Sequence, residues 1–290
     1  MSTVAALSTD LSSLISESRR RNSEIKHAAE SSLNILKSYD PSKQKEQDFL
    51  HYLTQEPNFI TPFILSCQSR NAKFSSIAIH CLHRLISAHG LPIGSLENIL
   101  DSLIEASHLP LEIQLKVLQL LPTIYQTFGD QMNDTLVSKL LFICAVLQGP
   151  SKPQVVVNTA AATLQQLIIF IFDKVSNEDK LDDSHVIKSH PVKVDNDEKI
   201  LVSDNVYDCY RIFDDLCSLI EHHKPCFLQF SYLTETFLLE LIESILNNFT
   251  SVFIKHTEMG YLLRFRITPI FLRSLSIPTK DFSVVVRIAR

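Results

Sequence analysis

The chain has 290 residues, of which 45% are hydrophobic and 20% are charged, as in an ordinary soluble globular protein. It contains 5 glycines, whereas an average usage of about 7% would give roughly 20. Scarce glycine argues against a sheet-rich fold and against a glycine-rich nucleotide loop. The formal net charge of −5 argues against nucleic acid as the main partner, because nucleic-acid binding usually needs a clearly basic face.

The first predicted helix is long. Leu7, Leu11 and Leu14 recur at helical spacing, and the apolar pattern continues through Ile25 to Leu36. The helix is predicted to end before the proline at position 41.

Shorter helices are predicted between this helix and position 149. Four have the approximate ranges 44–54, 58–69, 73–88 and 132–147. Pro92 and Pro110 each start a further helix, because proline fits the first helical turn. Pro122 is expected to kink or end the helix that follows Pro110, since proline cannot complete the backbone hydrogen bonding there.

Positions 158–175 read NTAAATLQQLIIFIFDKV and lie in a helix that is predicted to begin near Pro153. The stretch is not predicted to span a membrane, since its purely apolar run, 167–172, has six residues where about 20 are needed. The alanines at 160–162 would let a neighbouring helix come close. The apolar side chains surround nearly the whole circumference, which predicts a buried central helix; they are Ile168, Ile169, Ile171 and Phe172.

Segment 177–203 is polar, lacks helical periodicity and contains Pro191, so we predict a mobile linker. Helices resume at 204–222, at about 233–256 and at 258–275. The predicted domains are therefore 1–176, and 204–290 after the linker. The last residues, DFSVVVRIAR, continue an apolar pattern without a C-cap, which suggests a fragment whose next helix is absent.

Helices of 12–20 residues follow one another in pairs that span roughly 35–45 residues, the rhythm of armadillo and HEAT repeats. No strict sequence repeat accompanies this rhythm. The predicted fold is all-α, an armadillo- or HEAT-like right-handed α-solenoid of helix pairs.

Catalytic motifs such as a nucleophile elbow, a Walker loop or HExxH do not occur in the sequence, so no catalytic residue and no cofactor is predicted. Two clusters have metal-ligand residue types: His80, Cys81 and His83, and the set Cys217, His222, His223 and Cys226 with Cys209 before it. Neither spacing fits a standard zinc module. We therefore interpret the 6 cysteines as reduced cytosolic thiols, most of them in the core.

Arg19, Arg20, Arg21 and Lys26 form the densest basic patch. A solvated helix face is the commoner explanation of such a run. The functional alternative is contact with anionic lipid, worth at most about 4 kcal/mol at about 1 kcal/mol per basic residue. That attraction would be too weak alone, but useful in a dimer or beside another anchor.

Three stretches carry a family resemblance: EIKHAAESSL at 24–33, the alanine-rich helix at 158–175, and DCYRIFDDLCSLI at 208–220 with the helical region 237–275 that follows it. They resemble the large relatives of Arf guanine-nucleotide exchange factors, and most of all the Mon-two family (Ysl-two in yeasts). Residues 1–176 resemble the dimerisation and cyclophilin-binding domain. Residues 204–290 resemble the start of the homology-upstream-of-Sec-seven domain, with its ELIES and LLRFRITP elements.

The resemblance implies an α-solenoid scaffold in Golgi–endosome vesicle transport. The cytoplasmic protein would associate peripherally with trans-Golgi and endosomal membranes. Implied partners are a Dopey-type protein, an Arf-like small GTPase, an aminophospholipid flippase and a second copy of the chain. Exchange activity in the larger relatives lies in a Sec-seven domain that this sequence does not contain, so the chain is predicted not to be an enzyme. The alternative is a regulatory or nucleotide-exchange module that acts directly on an Arf-like GTPase.

Overall fold

A computed structural model describes residues 2–18, 22–132, 134–180, 186–194, 198–230, 233–276 and 286. The chain divides into two compact units, Met1–Thr163 and Leu164–Arg290. The division falls inside one helix, Gln154–Glu178.

Helices build the first unit, largely as predicted. They are α1 (Thr3–Glu17), α2 (Ser23–Leu36), α3 (Glu46–Leu53), α4 (Thr61–Gln68), α5 (Ala72–Ser87), α6 (Leu96–Ala106), α7 (Leu111–Phe128), α8 (Asp134–Val146) and the start of α9 (Gln154–Glu178). Short 3₁₀ turns lie at Pro57–Ile60, Ile93–Ser95 and Gly129–Gln131. The first two of these turns lead directly into α4 and α6.

The helices of the first unit form two layers. In one layer α1 packs on α5 and α5 on α7; in the other α2 packs on α4, α4 on α6 and α6 on α8. Contacts between α1 and α2, α4 and α5, and α6 and α7 join the layers. Packing between near neighbours in the chain is the pattern of armadillo and HEAT repeats. The all-α class is confirmed, while the right-handed solenoid stays a prediction.

The first helix is two helices, which corrects the prediction of one. The reason lies at positions 16–24, SESRRRNSE, where nine consecutive residues offer no apolar side chain. The apolar stripe of α1 therefore stops at Leu14, and Ser18 ends the helix by returning its backbone N–H to the Leu14 carbonyl. After the break α2 packs against α1, so each helix covers the apolar face of the other.

Pro122 does not end its helix, because α7 continues to Phe128. The proline removes one backbone donor, yet the helix on both sides of it is held by buried side chains, among them Leu121 and Ile124. The packing of these side chains therefore outweighs the free-energy cost of the backbone hydrogen bond that the proline removes.

Helix α9 contains the alanine-rich stretch. Ile168 and Phe172 are buried, as predicted, but Ile169 is only half-buried and Ala162 is exposed. Burial around the whole circumference is therefore wrong; one side of α9 packs and the other faces outward. By length and composition alone α9 could cross a membrane, although core helices of soluble proteins meet the same criterion.

The second unit contains the rest of α9 and all the later elements. They are strands β1 (His190–Lys193) and β2 (Lys199–Val202), and helices α10 (Asp204–Ile220), α11 (Glu235–Asn248), α12 (Thr250–Lys255), α13 (Thr257–Leu262) and α14 (Thr268–Ser276). A π-helical turn, Leu263–Ile267, joins α13 to α14. The predicted helices at 233–256 and 258–275 are thus each divided.

Strands β1 and β2 form an antiparallel hairpin within the segment predicted to be a mobile linker. The strands were not predicted, and the mobility of the segment stays a prediction. Val192 lies opposite Ile200, and His190 opposite Val202. Alternation explains the hairpin, since Val192 and Val202 are buried while Pro191 and Leu201 between them face outward. Positions 181–185 and 195–197 of the segment lie outside the described residues.

We expect Phe172→Ala to lower the free energy of unfolding by about 3–5 kcal/mol, because truncating a buried phenylalanine leaves a cavity. Phe172 is fully buried, and its ring lies 5.4 Å from that of Phe249. Chemical denaturation measures the change. Val155→Ala is the control, since Val155 is 58% exposed on the same helix. Equal stability of the two variants would contradict the packing described for α9.

Candidate interaction surfaces

The residues predicted to contact lipid are only partly described. Arg19, Arg20 and Arg21 lie outside the described residues. Lys26 lies in the second turn of α2, 44% exposed, with its Nζ 3.7 Å from Oε1 of Glu30. The Lys26 charge is thus available to solvent but partly matched by a carboxylate one turn away.

The first metal-ligand cluster is divided between core and surface. Cys81 is buried, and burial, together with the nearby Asp10 carboxylate, raises the pKa of its thiol. His80 and His83 are exposed, and His80 lies 3.6 Å from Asp10 and 3.2 Å from Arg84. His80 therefore takes part in a surface network with Asp10 and Arg84.

The second cluster is divided in the same way. Cys209 and Cys217 are buried on the inner face of α10, which confirms their predicted place in the core. Burial raises the pKa of both thiols, which keeps them protonated and unreactive. His222, His223 and Cys226 are exposed beyond the end of α10. Within the described residues, no three His, Cys, Asp or Glu side chains converge on a possible metal position.

A groove of about 450 Å³ runs across the layer formed by α1, α5 and α7. Polar side chains from all three helices line it: Asp10, Ser76, His80, His83, Lys116 and Gln119. The Lys116 ammonium donates to Ser76 Oγ at 2.6 Å and to Glu112 Oε1 at 2.7 Å, which fixes one wall. We call this surface the polar groove. Sequence reasoning missed it, because its residues come from helices that are far apart in the chain.

Arg266 holds the π-helical turn against α10. Its Nε donates to Asp214 at 2.6 Å, Nη2 to Ser218 Oγ at 2.8 Å and Nη1 to Glu221 at 3.2 Å. Arg266 is the second arginine of the LLRFRITP element. That element is therefore structural at Arg266, whereas Arg264 is exposed.

Asp215 organises the chain after α10. The side chain is buried, and its carboxylate accepts the backbone N–H groups of Cys226, Phe227 and Leu228, each at 2.7 Å. Three donors compensate a carboxylate that would otherwise be costly to bury. Sequence reasoning missed Asp215, although an aspartate next to the core residue Leu216 was a signal for a buried polar anchor.

Apolar side chains are exposed on the π-helical turn and α14. Leu272 is 62% exposed, Leu275 51% and Phe265 49%. Large apolar side chains exposed on one short stretch of chain mark a candidate contact with another protein or another part of the same protein. We call it the α14 face.

Comparison with known families identifies the architecture. Residues 1–179 match the family model of the Mon2/Sec7/BIG1-like dimerisation and cyclophilin-binding domain. Residues 205–290 match the Mon2/Sec7/BIG1-like HUS domain. Protein MON2 of Saccharomyces cerevisiae is 40% identical over 292 residues, an alignment that covers 98% of this chain and 17% of the relative. The chain belongs to the Mon2 family.

More distant Mon2 relatives align over nearly the same span. The Mon2 homologues of Xenopus laevis and Homo sapiens are each 29% identical, over 93% of this chain and 16% of their own length. The chain thus spans about a sixth of the length of these relatives. The two matched Mon2-type domains adjoin the hairpin segment, which lies between position 179 and position 205.

We expect Arg266→Lys to lower the free energy of unfolding by about 1–3 kcal/mol, because a lysine ammonium cannot reproduce the three-way guanidinium contact. Arg264→Lys is the matched control, two residues away on the exposed side of the same turn. Urea denaturation of both variants gives the difference. If the two substitutions had equal effects, Arg266 would not hold the turn as described.

Proposed function

We propose that this Mon2-family chain is a non-catalytic scaffold and regulatory region that acts in Golgi–endosome vesicle transport. The adjoining matches to a dimerisation and cyclophilin-binding domain and to a HUS domain carry the proposal. Two further observations support it. Buried thiols such as that of Cys209 are held protonated, and the contacts of Arg266 and Asp215 stabilise the fold. The chain would lie in the cytoplasm, associated peripherally with trans-Golgi and endosomal membranes.

The proposed partners are a Dopey-type protein, an Arf-like small GTPase and an aminophospholipid flippase. Self-association is part of the proposal because the first matched family is described as a dimerisation domain. The polar groove and the α14 face are the surfaces that we assign to protein contacts, because one offers several hydrogen-bonding side chains and the other exposes apolar area.

A nucleotide-release assay separates the scaffold from an exchange module. We expect the purified chain in excess to leave the release of a fluorescent GDP analogue from an Arf-like GTPase unchanged, since an exchange factor must displace the magnesium ion and phosphates. Chelation of magnesium is the positive control. An acceleration of release by the chain would overturn the non-catalytic assignment.

Lipid contact is tested by flotation with anionic liposomes. We expect weak, salt-sensitive binding that is lost when Arg19, Arg20 and Arg21 are all changed to glutamate. Salt should abolish binding of the unaltered chain, because the Debye length falls from about 10 Å at 0.1 M to about 3 Å at 1 M.

The matched control for flotation changes Lys37, Lys43 and Lys45 to glutamate. All three lysines are exposed, and the change in net charge equals that of the arginine variant. Retained binding of this control with loss in the arginine variant would locate the contact. Unchanged flotation of the arginine variant would remove the lipid contact, and recruitment would then rest on protein partners.

A further inference from the structure

His256 lies between two carboxylates in the second unit, at the junction of α12 and α13. Its Nδ1 lies 3.0 Å from Oε1 of Glu258, and its Nε2 lies 3.1 Å from Oδ1 of Asp179, just beyond the end of α9. The side chains of His256 and Asp179 are 18% and 17% exposed, and that of Glu258 is 3% exposed. Water therefore has little access to the three groups.

The two distances define the protonation state that fits the site. An ionised carboxylate only accepts hydrogen bonds, and a neutral imidazole carries a single N–H donor. A neutral His256 would place the lone pair of one ring nitrogen against a carboxylate oxygen. Both contacts are favourable only when both ring nitrogens carry protons.

We propose that His256 is held as an imidazolium and forms a pH-sensitive latch, consisting of Asp179, His256 and Glu258, that joins the end of α9 to the α12–α13 junction. The latch closes while His256 is protonated. It weakens when the proton leaves, because Glu258 then stays buried without its cationic partner.

The surrounding charges agree with this assignment. Lys255 donates to Asp179 Oδ1 at 2.8 Å and to the Asp179 carbonyl at 3.1 Å, so Asp179 keeps one cation when His256 is neutral. Glu178 accepts a hydrogen bond from the Asn205 amide of α10. Lys188, which precedes the hairpin, lines a cavity beside the latch.

Glu258 has a further neighbour in α10. Burial, together with nearby charges that include Glu258, raises the pKa of Tyr210 to about 12, so this phenol stays neutral throughout the range in which a histidine titrates. Tyr210 therefore supplies no charge that could replace the imidazolium. Of the described groups that face Glu258, His256 is the one cation within hydrogen-bonding distance.

The direction of the pKa shift follows from opposing causes. Burial favours the neutral imidazole, but the hydrogen bond and charge of Glu258, followed by those of Asp179, outweigh burial and raise the pKa of His256 above 6.5. A folded-state pKa above the unfolded value means that the latch stabilises the fold fully below the unfolded pKa. This stabilisation is lost as pH rises through the folded-state pKa.

The latch also borders a cavity of about 240 Å³. Apolar residues of the hairpin and α10 line one side of it, namely Ile200, Val202 and Val206, and the latch residues line the other. Loss of the His256 proton would therefore weaken the wall of the cavity at Glu258, while Lys255 still ties Asp179 to α12. A rise in pH is thus coupled to a weaker contact between the end of α9 and the α12–α13 junction.

Nuclear magnetic resonance of the intact chain with ¹⁵N-labelled histidine tests the latch. We expect both ring nitrogens of His256 to give the signals of a protonated imidazolium at pH 6.5, with the transition to the neutral ring above this pH. Assignment comes from the spectrum of His256→Gln. A neutral tautomer of His256 at pH 6.5 would overturn the proposal.

Two variants separate the latch from a simple packing role. Glu258→Gln should move the His256 transition to lower pH, because it removes the largest favourable charge. The unaltered chain should lose stability between pH 6.5 and 9, and His256→Gln should abolish that loss, whereas His223→Gln should leave it in place. An unchanged His256 transition in Glu258→Gln, or an unchanged pH profile in His256→Gln, would show that the pair does not titrate as proposed.

Discussion

The structure depends on one constraint, that short amphipathic helices cannot bury their apolar faces alone. In the first unit α1 covers α2, α4 covers α5 and α6 covers α7, and each of these pairs then packs on its neighbours. Most helical stability in proteins comes from such packing and not from intrinsic propensity. Where apolar side chains are absent, as in the polar run at 16–24, the helix has nothing to bury, and α1 ends there.

Side-chain hydrogen bonds to backbone carbonyls complete the packing of the first unit. Buried serines donate to carbonyls of neighbouring segments: Ser32 to Phe59 at 2.9 Å and Ser75 to Ser66 at 3.1 Å. The carbonyl of Ser107 at the end of α6 accepts from Gln114 and Lys152. The last carbonyls of a helix have no intrahelical partner, so these contacts satisfy helix ends and fix which segments become neighbours.

Strong apolar periodicity made most helices predictable from the sequence. The elements that were predicted wrongly are those without a clear apolar period. Helices α4 to α8 lie within a few residues of their predicted bounds, because each has an apolar face interrupted only at its ends. The hairpin was missed since its two strands have four residues each, too few to show alternation among charged neighbours. The division of 258–275 at the π-helical turn depends on Arg266, whose partners Asp214 and Glu221 lie 52 and 45 positions earlier.

The candidate surfaces were less predictable for the same physical reason. Sequence spacing groups residues along one helix, and this logic selected Arg19 to Arg21 and Lys26 as a basic patch. The polar groove instead unites Asp10, His80 and Lys116 from three helices, a set that only the packing of α1, α5 and α7 brings together. The groups that compensate buried Asp215 and Glu258 could not be identified from the sequence, because the fold places those backbone N–H groups and that imidazole beside the carboxylates.

The second unit places charged groups at its junctions. Asp215, Arg266 and His256 each bind two or three partners from other segments, and each holds a junction and not a regular helix. Charged contacts respond to pH and ionic strength, whereas the serine–carbonyl contacts of the first unit do not titrate. The first unit also has charged contacts, such as that of Lys139 with Asp101 at 2.7 Å, so both units contain groups that respond to solution conditions. What sets the second unit apart is that its charged groups hold segments that connect its helices.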